Sequence, residues 1–249
     1  MTSVNKDSVF DINEGISGHD PVNENTENHF STTKIRHAFL RKVFSIVTLQ
    51  LILTFGIVLI FFYTPAIKQF AQSSNGYVLY IISFVTFIVL YTAMACSKEL
   101  CRKTPYNYIF LLLLTLSLAF ILGSIASYHS TWAVLFAIGT TIVICVAAIL
   151  ISLQNKFDFT KWLGVLSSIT IILFIFGIAS LVFRSHVLTF LYASIGAIIF
   201  SLFLIINLQM IMGGRRYNLS EENYIDGALM IYMNIVTIFL FVLTLADSH

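Results

Sequence analysis

Seven apolar stretches, each long enough to cross a bilayer, leave this chain very few folds. They run at about residues 43 to 63, 77 to 97, 107 to 127, 131 to 153, 162 to 183, 187 to 211 and 224 to 246, close to the roughly 20 residues that a membrane-spanning helix needs. The first six hold no Asp, Glu, Lys or Arg except at their margins. In hydrocarbon every backbone polar group must find its partner inside the structure, so runs of this length are helices. Outer-membrane strands would instead alternate over about ten residues. The expected fold is therefore all-α, a seven-transmembrane-helix bundle. Composition agrees: 58% of residues are hydrophobic, 10% are charged, and the mean hydropathy is +0.89, far from soluble usage.

Lys and Arg near the helix ends set the orientation. Lys34, Arg36, Arg41, Lys42, Lys98, Arg102, Lys103, Lys156, Lys161, Arg215 and Arg216 fall on one side, and only Lys68 and Arg184 on the other. This bias predicts a cytosolic N-terminus and, with seven spans, a C-terminus on the lumenal or external side. Residues 1–33, rich in Asn, Asp, Glu, Ser and Thr, lack the apolar content to bury a core and are expected to form a disordered acidic cytosolic tail ahead of the transmembrane domain, 34–249. The tail holds no apolar signal-peptide core, so the first span is expected to direct membrane insertion. The sequon Asn218-Leu219-Ser220 falls in a cytosolic loop and is expected to stay unmodified. Ser220 reads instead as the N-cap of the seventh helix, with Glu221 and Glu222 meeting its dipole.

Several function classes are excluded by what the spans lack. A net charge of +2 and the absence of phosphate-binding or dinucleotide motifs argue against nucleic acid as a partner. The spans contain no paired carboxylates, no nucleophile beside a histidine and no HExxH-like ligand pair, so neither catalytic nor metal-binding residues are assigned, no cofactor is implied, and an enzyme is not expected. His19, His29, His37, His129, His186 and His249 lie in the tail, loops or terminus and read as solvated side chains. Cys96, Cys101 and Cys145 have no metal-type spacing and read as small buried hydrophobes, with acylation of Cys96 or Cys101 the lesser alternative. A receptor reading conflicts with the predicted inside N-terminus and the missing retinal lysine.

What remains is the embedded polar set: Gln50, Asn207, Gln209 and Asn234, with Asp226 near the start of the last helix. A lone transmembrane Asn is most simply helix glue, contributing on average about 0.6 kcal/mol and at most about 1.7 through a carboxamide bond to a neighbouring helix. Yet Asn207 and Asn234 sit on consecutive, antiparallel spans and could meet. Gly227, Met230, Asn234 and Thr237 gather on one face of the seventh helix, and Gly196, Phe200, Phe203, Asn207 and Met210 on one face of the sixth. Facing stripes of this kind either pack tightly or line a narrow polar path. Small-xxx-small ridges at Ala119, Gly123 and Ser127 and at Ala193, Ala197 and Ser201 predict close helix approach.

The blocks IRHAFLRKVFSIVTLQLILT, TPYNYIFLLLLTLSLAF, QNKFDFTKWLGVL and FSLFLIINLQMIMGGRRYNLSEENYIDGALMIYMNIVTIFLFVL resemble the lifeguard branch of the transmembrane Bax-inhibitor-motif family, over about residues 34 to 245. The resemblance implies a seven-helix fold with a cytosolic N-terminus. It also implies an intracellular, endoplasmic-reticulum or Golgi address, with the plasma membrane as the other, together with a calcium leak from stores and restraint of apoptosis through cell-death regulatory proteins. In that family an aspartate on the sixth helix and one on the seventh form a proton-sensitive gate, because two adjacent carboxyls cannot both ionise easily. Here the aligned residues are Asn207 and Asn234, with Gln209 and Asp226 as supporting polar groups, so the titrating pair is absent. The resemblance leaves two functions open: a calcium channel without that gate, or a non-conducting scaffold for cell-death or stress proteins.

Overall fold

The computed structural model describes residues 21–97, 105–154, 157–213 and 223–247. The chain divides into two units, residues 1–35 and residues 36–249. Of the first, the structure describes the helical backbone from Pro21, which is the start of α1 (Pro21–Tyr63). The described helix thus begins inside the stretch read as tail, and residues 1–20 lie outside the described residues.

In the second unit α1 continues as the first span and is followed by a short α2 (Pro65–Ala71), α3 (Ser74–Cys96), α4 (Tyr106–Ala126), α5 (Thr131–Ser152), a 3-10 turn (Phe159–Trp162), α6 (Leu163–Phe183), α7 (His186–Met212) and α8 (Tyr224–Asp247). Seven of these helices are long and apolar enough to cross a membrane, α2 being the exception, and no strand occurs among the described residues. The expected seven-helix architecture is what the chain adopts. The breaks between helices are local chemistry. Thr64 is extended ahead of Pro65, which takes the first helical position where its missing N–H costs nothing. Ser73 and Ser130 cap α3 and α5, their hydroxyls accepting from the backbone N–H of Gly76 and of Ala133 at 3.2 Å. The α7 helix stops at Gly213, whose φ of 77° suits a residue without a Cβ. Arg36 packs against that glycine, and its Nη2 donates to the Met210 carbonyl at 3.1 Å, bringing a cation to the negative end of the helix dipole.

Burial ranks the helices. Of the most apolar stretch of α8, 67% is buried, against 17% for α3 and 22% for α6. The last helix is therefore the axis of the bundle, packed between α7 and α5, while α3 leans on α4 and α6 on α7. Outer faces carry bare aliphatic and aromatic side chains such as Val78, Val85 and Val89 on α3 and Ile171, Phe174 and Ile175 on α6. Such a surface suits a lipid solvent. The two small-residue ridges are buried in part as expected. Ala119, Gly123 and Ser127 form a closed face on which Phe61 of α1 lies, and Ala193 and Ala197 join Leu166, Leu173 and Phe241 in a second cluster. Gly196 leaves the room that the Phe241 ring occupies. Helix α1 is held to the bundle by polar contacts one turn apart: Gln50 Nε2 donates to Thr115 Oγ1 at 2.9 Å, and the Thr54 hydroxyl meets the Tyr232 hydroxyl at 2.8 Å.

Candidate functional site

Helices α7 and α8 are antiparallel, and their register can be read from packing. The Phe241 ring fills the space above Gly196 and lies 5.6 Å from the Phe200 ring. Counting back along α8 puts Asn234 opposite about position 205 of α7, within one helical turn of Asn207. The two asparagines therefore occupy the same depth. They are not bonded to one another. Asn207 is partly exposed, while Asn234 is only 7% exposed and its Nδ2 is buried without a hydrogen-bond partner. A buried amide that makes no hydrogen bond gives up water and gains nothing, a cost of about 1–3 kcal/mol. The Asn234 Nδ2 thus makes no bond to a neighbouring helix in this structure.

Gln209, two residues from Asn207, behaves in the opposite way. It is fully buried, its Oε1 accepts from the Phe159 N–H at 2.9 Å and its Nε2 donates to the Phe157 carbonyl at 3.1 Å. These two backbone groups fix the amide orientation, since an N–H needs the oxygen and a carbonyl needs the nitrogen. Gln209 is a clasp that holds the chain leading into α6 against α7. Asp158 completes the corner by accepting from the Thr160 N–H at 3.1 Å. Asp226 stands half-buried in the first turn of α8, where a carboxylate meets the positive end of the dipole. Of the four residues singled out, the structure thus sets Asn207 and Asn234 at one depth, assigns Gln209 to the fold, and leaves Asp226 at the helix start.

Sequence reading missed two members of the polar interior. Asn107 is fully buried at the start of α4, its Nδ2 donating to the Tyr224 hydroxyl at 3.2 Å and its Oδ1 accepting from the Tyr108 N–H at 2.8 Å. The Lys42 ammonium sits 5.4 Å from the centre of the Tyr224 ring. Asn107 lies at a span margin, where polar residues are commonplace, so no signal set it apart. Tyr232 is the other: a tyrosine in an apolar helix reads as bulk until its hydroxyl is seen to find Thr54. Met230, placed by periodicity on the polar stripe of α8, is 40% exposed and lies off it.

A lateral crevice of about 210 Å³ opens between α1 and α5, floored by Leu204 and Leu208 of α7 and Ile231 and Ile235 of α8, with Thr48, Thr141 and Cys145 on its walls. Its floor residues are chain neighbours of the two asparagines. Cys145 is partly buried there and packs against the core, whereas Cys96 is exposed at the end of α3, so the reading of Cys96 as a buried hydrophobe is corrected: it faces outward because α3 is the most peripheral span. Cys101, the sequon and Ser220, Glu221 and Glu222 lie outside the described residues. His37 and His186 are exposed as expected, but His129 is not a solvated side chain. It is 19% exposed and its Nδ1 contacts the Ile125 carbonyl at 2.9 Å. Among the described residues, no group of three or more His, Cys, Asp or Glu side chains is placed to hold a metal ion.

Six apolar helices packed with a buried seventh, and a carboxamide pair at common depth, define a multi-pass helical membrane protein whose partner is the lipid bilayer. Residues 36–248 match the family described as inhibitor of apoptosis-promoting Bax1. The chain is 38% identical to protein lifeguard 3 of Homo sapiens over 220 residues, spanning 87% of this chain and 70% of the relative, and 36% identical to protein lifeguard 3 of Mus musculus, spanning 87% and 71%. Protein lifeguard 4 of Mus musculus is 31% identical over 219 residues and 88% of each chain. The chain belongs to the Bax-inhibitor family of membrane proteins and is similar to its lifeguard members, which places it among membrane regulators of apoptosis rather than in an enzyme family.

Proposed function

We propose that this protein is a calcium leak channel of intracellular stores, in the endoplasmic reticulum or Golgi membrane, that restrains cell death, and that its conduction does not respond to protons at the α7–α8 pair. Its N-terminus and the Lys- and Arg-rich helix ends face the cytosol. The observation that carries the reading is Asn234: a buried carboxamide at the depth of Asn207, with its Nδ2 unbonded, on the central helix. A polar side chain that adds nothing to packing is explained by what it meets there transiently, water or an ion. Neutral oxygens can pass a cation without fixed charge, and a pair without carboxyls has no proton to lose between pH 6 and 8. The test is calcium efflux from proteoliposomes holding the purified protein, where efflux above that of empty vesicles supports the channel.

The second reading is a non-conducting scaffold that modulates cell-death or stress proteins. It draws on the same residue, since a buried N–H donor is a poor neighbour for calcium, which prefers carboxylate oxygens. Efflux no greater than that of empty vesicles would favour it. Capture of cell-death regulatory proteins by the full-length chain, unaffected by Asn234→Leu, would then support it.

A further inference from the structure

At the opposite end of the bundle from Gly213, a polar cavity of about 590 Å³ is bounded by the α4–α5 turn, the α6–α7 link and the end of α8. His129 enters it from the turn, Arg184 from the link, His186 from the first turn of α7, and Asp247 from the last turn of α8, with Ser180, Thr189 and Thr244 between them. Nothing proposed above uses this cluster.

The geometry of His129 fixes its protonation pattern. Its Nδ1 lies 2.9 Å from the Ile125 carbonyl, which can only accept, so Nδ1 holds the proton of the neutral ring. Nε2 is then a lone pair, and it faces Asp247 Oδ2 at 3.9 Å. Two acceptors turned toward each other make an unfavourable contact. A second proton on Nε2 changes it to a cation facing an anion. Asp247 gains further from that change because, as the last residue of α8, its carboxylate sits at the negative end of the helix dipole. Arg184 is positive at every pH and so contributes a constant background, while His186 is the other imidazole lining the cavity.

We propose that His129 and Asp247 form an acid-closed latch that ties the α4–α5 turn to the end of the central helix. The turn is anchored on its other side by Gln72, whose Nε2 donates to the Ser127 carbonyl at 2.8 Å, so the free partner is the end of α8. Because the favourable contact needs the doubly protonated imidazole, acid strengthens it and base weakens it. The latch acts independently of the asparagine pair and of whether the protein conducts.

Hydrogen exchange of the full-length protein in detergent micelles, corrected for intrinsic rates at pH 5.5 and 7.5, tests it at the amides of residues 240–247. The wild type is expected to be about two- to fivefold more protected at pH 5.5, the scale of one partly exposed ion pair. His129→Gln and Asp247→Asn should each abolish that difference, the double variant should lose no more than either, and His186→Gln should keep it. Asp247→Asn, at a half-exposed helix end, carries the test alone if His129→Gln does not fold. A pH difference that survives both substitutions, or that disappears with His186→Gln instead, overturns the proposal.

Discussion

Two carboxamides two residues apart in one register, Gln209 and Asn207, and a third across from them, Asn234, show how differently one functional group can be used. Gln209 has both of its amide atoms engaged, so Gln209→Leu breaks its bonds to the Phe159 N–H and the Phe157 carbonyl at about 0.5–1.5 kcal/mol for each bond. The expected result is a clear fall in thermal midpoint in detergent, with the loss concentrated in the chain entering α6. Asn234 has no bond to lose, so Asn234→Leu should leave the midpoint unchanged or raise it, while altering calcium efflux. A fall in midpoint as large as that of Gln209→Leu would return Asn234 to the role of helix glue. Composition and spacing alone do not tell which of these amides is bonded. Each is one amide in an apolar run, and which of them bonds depends on the rotation of α7 and α8 and on a corner, Phe157 to Thr160, contributed by another part of the chain.

Elements were far more legible than contacts. A span is dictated by bilayer thickness, so all seven appear within a few residues of their expected places, except that α1 begins earlier, at Pro21. Small-residue ridges at Gly123 and Ala193 were likewise readable, because close approach requires them whatever the partner is. What those ridges receive was not. Gly196 accommodates Phe241, and a side chain there must displace an aromatic ring wedged among Phe200 and Tyr192. We predict that Gly196→Leu separates α7 from α8 and lowers the thermal midpoint by several degrees. Gly56→Ala, where no atom lies within 4 Å of the added methyl group, should be neutral or stabilising by up to about 1 kcal/mol, since alanine is the better helix former. Equal losses from the two substitutions would contradict the packing described for α7 and α8.

Within the unit of residues 36–249, the most buried span is the axis, α8, which carries Asn234 in its interior and Asp247 at its end. The axis thus carries one half of the neutral pair in its interior and one partner of the proposed latch at its end. The central claim, that this chain conducts calcium without a proton gate at the pair, is tested most directly by calcium efflux from proteoliposomes between about pH 6 and 8, with His129→Gln as the background so that the far end of α8 is silent. The account predicts efflux above that of empty vesicles that stays flat across this range, and steep pH dependence once Asn207→Asp and Asn234→Asp are added together. Efflux that already varies steeply with pH while both asparagines are intact, or no efflux at all, would contradict it.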